Sequence, residues 1–318
     1  LSAAGLPLIE SNPGGAVALF LDFDGGSYQG SAGTETYRGY SRDSNFATFT
    51  KQEQDDIVAS VQFVNRSFAM FDVNVTTDDA ARLRTGKWGW ILITEDASGG
   101  KGVLGSKSIG TPTLAMAYTG ATSIRDSDQS RRVAHELGHT FQLQHSGVWD
   151  GGVFYKWEDW PSWDRVYGPI MGGGGYGERT GWANGHHEGD PDTLQDEIDI
   201  IRKKIIAVAG GVGWRKDDFP DGAPAPLCKG EGIRYRDAVL ERPDDQDTFA
   251  FSWGGGDLNV DVVIPPRSSA LVTVKVLSGA REVGGAGKTA ALPPGNYRLQ
   301  VQSRGGYAEI GEYSIRVR

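Results

Sequence analysis

Three of the five histidines in this chain of 318 residues fall within one stretch, HELGHTFQLQH, at residues 135–145. On a helix, residues four apart lie on one face about 6 Å from each other, so His135 and His139 can present their imidazoles to one metal ion. In an unbroken helix His145 would lie about 15 Å further along the axis than His135. A site that uses all three histidines therefore requires the helix to stop and the chain to turn back between residues 141 and 144.

The bare His-Glu-x-x-His pattern also has an ordinary interpretation, because such spacings arise by chance on polar helix faces. Catalytic zinc usually takes three protein ligands and leaves a fourth position for water, so two histidines alone would be an incomplete site. Histidine is scarce in this chain, and three of five residues at these spacings favour a metal site. Glu136 stands beside the first ligand, where it can reach a water, and Met171 follows in the glycine-flanked turn GPIMGGGG.

Composition excludes several classes of partner. The net charge of -9 and the pI near 5.1 exclude the basic surface that nucleic acid or anionic lipid would require. No run of about 18 apolar residues is present, so we expect no membrane span. Cys228 is the single cysteine and excludes internal disulfides. Because the chain begins at Leu1 without a basic and apolar leader, we expect a mature form of a secreted, extracellular bacterial protein whose leader was removed.

The first part of the chain, residues 1–216, alternates strand and helix patterns. Thr50 and Glu53 form a capping-box pair before apolar residues at helical spacing, which predicts a helix over 51–70. This interleaving predicts an α/β fold. The remaining expected elements are strands at 16–23, 71–77, 88–95 and 113–120, a helix from Ser127 or Asp128 that carries the histidines, and a helix at 193–209.

The second part, residues 217–318, differs from the first in composition and in its pattern of apolar residues. A segment rich in Pro, Gly and Asp begins at Asp217, which is typical of a linker or a domain boundary. Short alternating segments such as DTFAFSW and NYRLQVQS follow, separated by turn residues. This spacing predicts a small all-β sandwich domain.

The histidine motif, its glutamate and the methionine turn resemble the metzincin clan of zinc metallopeptidases. The resemblance implies an α/β metzincin-like catalytic domain with a twisted mixed sheet, an active-site helix and a Met-turn. It implies that His135, His139 and His145 bind one catalytic Zn²⁺, that Glu136 is the general base and acid, and that Met171 forms the floor of the site. The activity implied is hydrolysis of peptide bonds in extended protein or peptide substrates.

The resemblance also implies substrate contacts. TLAMAYTG, at 113–120, would be the edge strand that pairs with the substrate, which makes Leu114, Ala115, Met116 and Ala117 candidate substrate-binding residues. Tyr176 follows Met171 and is a candidate oxyanion or fifth-ligand tyrosine, although astacin-like sites place that tyrosine nearer the methionine. Packing is therefore the alternative role for Tyr176.

Several aspartates suit a structural Ca²⁺, since carboxylates at short spacing bind hard cations. Helix capping is the commoner role for acids near a helix start. The candidates are Asp190, Asp192 and Asp196 in the first part, and Asp244, Asp245 and Asp247 in the second.

Residues 217–318 resemble the prepeptidase-type β-sandwich domains of secreted bacterial proteases. The resemblance implies an accessory domain for targeting, for stability, or for binding a substrate polymer or a cell surface. A non-catalytic binding or adhesion protein on a metalloprotease scaffold stays the alternative to an active enzyme. The presence of all three histidines and Glu136 favours the enzyme.

Gln142 departs from the clan's pattern, which has glycine at this position. Glycine allows the positive φ with which the helix ends and the chain turns toward the third ligand. A non-glycine residue in that conformation costs about 1 kcal/mol. We therefore predict that the helix ends near Gln142 in a left-handed conformation and that His145 returns to the metal.

Overall fold

The computed structural model describes residues 1–30, 33–94, 98–101, 114–119, 127–157, 166–172, 177–220, 222–229 and 234–318. The chain divides into two compact units, Leu1–Gly213 and Trp214–Arg318. This division lies close to the Pro- and Gly-rich segment at which the sequence predicts a domain boundary. In the described ranges, no helix is long and apolar enough to cross a membrane.

The first unit contains four helices and thirteen strands among its described residues. The helices are α1 (Lys51–Phe68), α2 (Asp79–Thr85), α3 (Ser127–Thr140) and α4 (Glu197–Ala209). The strands are β1 (Val17–Asp22), β2 (Gly25–Gly30), β3 (Gly33–Arg38), β4 (Val73–Thr76), β5 (Trp88–Thr94), β6 (Ser98–Lys101), β7 (Leu114–Thr119), β8 (Gly147–Asp150), β9 (Val153–Lys156), β10 (Tyr167–Pro169), β11 (Arg179–Gly181), β12 (Asn184–His187) and β13 (Asp190–Asp196).

The largest sheet of this unit has the strand order β4-β1-β5-β7-β6. Four of its strands are parallel, and β6 runs antiparallel to β7. Every residue of β1 is buried, as expected for an apolar run in the middle of a sheet. Phe68 at the end of α1 stacks on Phe141 just after α3, with ring centroids 5.8 Å apart, so the two helices share one core.

Local sequence signals set several element boundaries. The Thr50 hydroxyl accepts from the Glu53 amide, and the Glu53 carboxylate accepts from the Thr50 amide, which confirms the predicted capping box of α1. The Asp196 carboxylate accepts from the Asp199 amide, so Asp196 caps α4. The predicted helix at 193–209 therefore begins later than expected, because the residues before Asp196 belong to β13.

The predicted α/β fold class is wrong. The structure is mostly β-sheet, with 44% of the described chain in strands, 19% in helices, and sheets that are small. Segments outside the predicted strands and helices pair as hairpins. NGHHEGDPD, for example, lies in the hairpin of β12 with β13, and the glycine-rich stretch after β1 forms β2 with β3. Backbone pairing between such polar segments leaves little apolar periodicity in the sequence, so periodicity alone underestimates strand content.

The interpretation of TLAMAYTG as an edge strand is also wrong. β7 lies between β5 and β6, and β6 occupies the edge of the sheet. The residues of β6 are SGGK, which have no apolar alternation that would predict a strand. In the structure this segment pairs antiparallel with β7, from Ser98 opposite Thr119 to Lys101 opposite Met116.

The second unit consists of two five-stranded sheets, in the orders β14-β17-β22-β19-β20 and β15-β16-β23-β18-β21. Phe249, Leu299 and Ile315 are fully buried, and buried positions alternate along β22. The alternating segments thus form strands as the sequence predicts. The strands are β14 (Ala225–Pro226), β15 (Cys228–Lys229), β16 (Arg234–Leu240), β17 (Gln246–Trp253), β18 (Gly256–Val263), β19 (Val272–Ser278), β20 (Arg281–Gly285), β21 (Gly287–Leu292), β22 (Gly295–Ser303) and β23 (Gly311–Val317).

Candidate metal centre

Helix α3 ends where the spacing of the histidines requires it to end. α3 stops at Thr140, and Gln142 has φ 70°, which is the left-handed conformation. The amides of Phe141 and Leu143 both donate to the carbonyl of Gly138, and this closes the last turn. The predicted helix end at Gln142 is therefore confirmed, with glutamine in a conformation that usually favours glycine.

The turn brings the three histidines together. The ring centroids of His135 and His139 lie 4.7 Å apart, and that of His145 lies 5.1 Å from the first and 4.9 Å from the second. One ring nitrogen from each histidine falls within 4.8 Å of the other two. His135 and His139 are buried, while His145 is half-buried at the side of the site.

Each imidazole is held by an oxygen acceptor on its Nδ1 atom. Nδ1 of His135 lies 2.8 Å from the carbonyl of Ile170, and Nδ1 of His139 lies 2.7 Å from the carbonyl of Leu143. Nδ1 of His145 lies 2.9 Å from the Glu188 carboxylate. Since these oxygens only accept, each Nδ1 atom donates its proton to them, and in the neutral form of a ring the Nε2 atom keeps its lone pair.

The environment also keeps the two buried rings neutral. Burial lowers the pKa of His139 to about 4. Burial, followed by the proximity of His139, lowers the pKa of His135 well below its ordinary value. Neutral imidazole is the form that binds a metal.

The arrangement of lone pairs fits a cation. Nε2 of His135 and Nε2 of His139 face each other at 3.1 Å, although both Nδ1 atoms already carry the protons. Two lone pairs at this distance repel each other unless a cation or a further proton lies between them. Three imidazole nitrogens with acceptor oxygens behind their rings are the donor set of a catalytic zinc site. The residues present therefore fit a zinc ion.

Met171 lies beneath this site, against α3. A Cβ atom built on Gly138 would come 2.5 Å from the Met171 sulfur and 3.3 Å from the Trp182 ring, so the helix has no room for a side chain here. The Ser146 amide donates to the Met171 carbonyl. The methionine turn thus packs under the helix and is tied to the residue that follows the third histidine.

Glu188 was not identified as a site residue from the sequence. Its carboxylate holds the His145 ring, and its amide donates to the His145 carbonyl at 3.0 Å. Burial opposes the ionisation of Glu188, but the hydrogen bonds from the side chain and the backbone of His145 hold its pKa below the ordinary value. The only signal in the sequence is an acid directly after His186 and His187.

The β12–β13 hairpin supports the third ligand through further contacts. The Gln144 amide donates to the Gln195 side chain, which returns a bond to the Gln144 carbonyl, both at 2.9 Å. The Trp149 indole donates to the carbonyl of His187. These bonds fix the backbone on both sides of His145 before any metal binds.

The other predicted site residues have different positions. Glu136 is buried on α3 next to His135. Leu114, Ala115, Met116 and Ala117 lie in β7, inside the sheet, and Tyr176 lies outside the described residues. Asp190 accepts from the Asp192 amide within the hairpin, and neither residue joins Asp196 in any cluster of possible metal ligands among the described residues.

The chain matches no known family model and no curated protein. Among solved structures, it aligns with PliG of Salmonella Typhimurium, a periplasmic inhibitor of g-type lysozyme, at 14% identity and a TM-score of 0.24 over 30% of this chain and 96% of that one. PliG of Aeromonas hydrophila aligns at 17% identity and a TM-score of 0.24, over 30% of this chain and 93% of that one. OgpA of Akkermansia muciniphila aligns at 14% identity and a TM-score of 0.15, over 61% of this chain and 48% of that one. Scores this low carry no inference about fold or function.

Proposed function

We propose that the chain is a zinc-dependent endopeptidase, with His135, His139 and His145 as the zinc ligands. The observation that carries the proposal is the convergence of the three imidazoles after the helix break at Gln142. A polar helix face without a metal would explain His135 and His139, but it gives no reason for the strained turn that returns His145 to them.

Glu136 is the proposed general base and acid. A zinc ion bound at this site would lower the pKa of a coordinated water toward about 7 and polarise the substrate carbonyl. The Glu136 carboxylate accepts the proton of the attacking water and later delivers it to the leaving amine. Its burial keeps this carboxylate away from bulk solvent, and its place on α3 fixes it relative to His135 and His139.

The strand β6 is the proposed backbone partner of the substrate. It lies at the edge of the five-stranded sheet and contacts α3, which carries the site. An edge strand presents amides and carbonyls to an extended peptide, so affinity comes from main-chain bonds and selectivity from side-chain pockets. This assignment replaces β7, which has strands on both sides.

The test combines zinc content with cleavage of a broad mixture of peptides. We expect stoichiometric zinc in the wild type and cleavage that falls by about 10²- to 10⁴-fold in Glu136→Gln, the range that general acid–base catalysis contributes. Zinc content should stay unchanged in this variant, because Glu136 is not a ligand. Glu178→Gln is the matched control, since Glu178 is exposed and lies outside the proposed site.

Two results would contradict the proposal. If the wild type bound stoichiometric zinc but cleaved no peptide, the chain would be a zinc-binding protein and the proposed peptidase activity would be contradicted. Equal cleavage by the wild type and Glu136→Gln would show that a contaminating protease acts on the peptides. Secretion from a bacterial cell belongs to the same proposal, and recovery of the protein only from the cell lysate of its producer would contradict that part.

A further inference from the structure

Five carboxylates meet in the second unit, far along the chain from the histidines. Asp217, Glu241 and Asp245 place one oxygen each within 4.8 Å of one another, and Asp217 does the same with Asp218 and Asp247. Asp217 belongs to both groups, so the five residues form one acidic cluster. Asp244 lies in the same turn as Asp245, but its side chain is 87% exposed and it joins neither group.

Three of the five acids are buried, whereas Asp217 and Asp218 are partly exposed. Glu241 and Asp247 are fully inaccessible to solvent and Asp245 is 1% exposed. Acidic residues are almost never buried to this extent unless a partner compensates their charge. The Arg242 guanidinium approaches Asp217 and Asp245 only at 3.7 and 3.9 Å, and the charge of Arg215 acts on Asp218.

Protein hydrogen bonds satisfy only part of the cluster. The Asp245 carboxylate accepts from the amides of Glu241 and Gln246, and Asp247 accepts from the Tyr313 hydroxyl at 2.5 Å. Both carboxylate oxygens of Glu241 have no hydrogen-bond partner among the described residues, and neither does Oδ1 of Asp247 or Oδ1 of Asp218. The unpartnered oxygens of a fully buried glutamate therefore lie inside an acidic group, where only a cation or a proton can compensate them.

We propose that this cluster binds calcium, through oxygens of Asp217, Asp218, Glu241, Asp245 and Asp247. Calcium takes six to eight oxygen ligands and accepts carboxylates in either monodentate or bidentate form, which suits a site of carboxylates alone. The site contains no nitrogen or sulfur donor among the described residues, so it does not resemble the donor set that selects zinc.

The raised pKa values of the buried carboxyl groups also favour a bound cation. Burial, followed by the neighbouring acids, raises the pKa of Glu241 to about 10. Burial also raises the pKa of Asp247 to about 8 and that of Asp218 to about 7. The folded domain thus disfavours these charges when no cation is bound. A bound Ca²⁺ reverses the preference and joins residues 217 and 218 to the turn between β16 and β17.

The test is calcium titration of the full chain, followed by calorimetry and by hydrogen exchange of residues 237–247. The protein is first dialysed against metal-free buffer, and equal zinc is added to every sample. We expect a dissociation constant of about 10⁻⁴–10⁻³ M or tighter, as in other extracellular calcium modules, with increased protection of this segment. Magnesium should bind more weakly because it demands a regular octahedral site.

The variant Glu241→Gln distinguishes a calcium ligand from an acid with only a structural role. We expect calcium affinity to fall by about tenfold or more, because affinity follows the number of charged ligands. The midpoint of thermal unfolding without calcium should rise, because a buried carboxylate is removed. Asp244→Asn is the matched control in the same turn and should behave as the wild type in both measurements.

Absence of calcium binding by the wild type up to about 10 mM would overturn the proposal, since this exceeds the affinities of extracellular calcium modules by about tenfold. Equal calcium binding by the wild type and Glu241→Gln would overturn it as well. Neither result depends on protease activity, so failure of this site and failure of the zinc site are distinguishable.

Discussion

The histidine centre and the acidic cluster both bring several ligand atoms together. They differ in how the residues that carry these atoms are distributed along the chain. The three histidines lie in one segment of α3 and its following turn. The five acids come from the start of the second unit, the end of β16, a turn and β17. The first group is visible in the sequence as a spacing, whereas the sequence indicates only Asp245 and Asp247 of the second group, and the structure adds Asp217, Asp218 and Glu241.

The two groups also differ in how their ligand atoms are prepared. Every histidine has an oxygen behind its Nδ1 atom, so the Nε2 lone pairs are fixed toward one point. Glu241 has no such support for either carboxylate oxygen in the described structure. The histidine centre is thus preorganised for a small ion with nitrogen ligands, and the acidic cluster depends on its ion for compensation of charge.

The largest expected effect separates the two metals. The zinc chelator 1,10-phenanthroline should abolish peptide cleavage by the full chain, because zinc supplies the Lewis acid of the proposed reaction. The heat of calcium binding, measured in the same preparation, should not change. Cleavage that survives the chelator, or a calcium signal that disappears with the zinc, would break the distinction between the two sites.

The next effect concerns Glu188, the support of the third ligand. We expect Glu188→Ala to weaken zinc binding by about 10- to 100-fold, as loss of a hydrogen-bonding partner behind a metal ligand typically does. Glu188→Gln keeps an oxygen that can accept from His145 and should restore most of the affinity. Competition with a fluorescent zinc chelator measures both variants, and equal affinity in wild type and Glu188→Ala would show that His145 needs no support.

A smaller effect is expected at Gly138, where α3 packs on Met171. Gly138→Ala places a methyl group 2.5 Å from the methionine sulfur, so we expect a loss of about 1–3 kcal/mol in the free energy of unfolding. Gly185→Ala is the matched control, because a Cβ atom there has nothing within 4 Å. Chemical denaturation of both variants measures the difference, and equal stabilities would mean that the methionine moves away freely.

The smallest effect is expected at Gln142. Gln142→Gly relieves the positive φ but adds freedom to the unfolded chain, so we expect a change within about 1 kcal/mol. Gln142→Val places a β-branched residue in the left-handed region and should destabilise the protein by more than the glycine variant does. Thermal unfolding of zinc-loaded samples compares them, and a valine variant as stable as the wild type would contradict the strained turn.

Some of the structure follows from local sequence alone. The capping box of α1, the apolar run of β1 and the helical spacing of His135 and His139 depend on residues within a few positions of each other. The reversal at Gln142 could be inferred for the same reason, because the rise of a helix excludes His145 from the site unless the helix stops. The strands of the second unit were likewise visible in their alternation of apolar and polar residues.

Only the tertiary structure decided the strand content, the edge strand and the contacts behind the ligands. The hairpins of β2 with β3 and of β12 with β13 depend on backbone bonds between polar segments, which the hydrophobic pattern does not record. This additional strand content is the reason that the α/β prediction is wrong. The edge-strand prediction is wrong because the position of β6 outside β7 depends on which strands pair.

Glu188 and the acidic cluster belong to the same class of feature. The side chains of Glu188 and His145 are hydrogen-bonded although 43 positions separate them, and those of Tyr313 and Asp247 are hydrogen-bonded although 66 positions separate them. A local pattern specifies the periodicity of one element, because it reflects the geometry of a single helix or strand. Which elements then contact each other depends on packing and on strand pairing across the whole unit. The local sequence therefore determined the three histidines and the turn before His145, whereas the tertiary structure supplied the oxygen acceptors that hold the three rings.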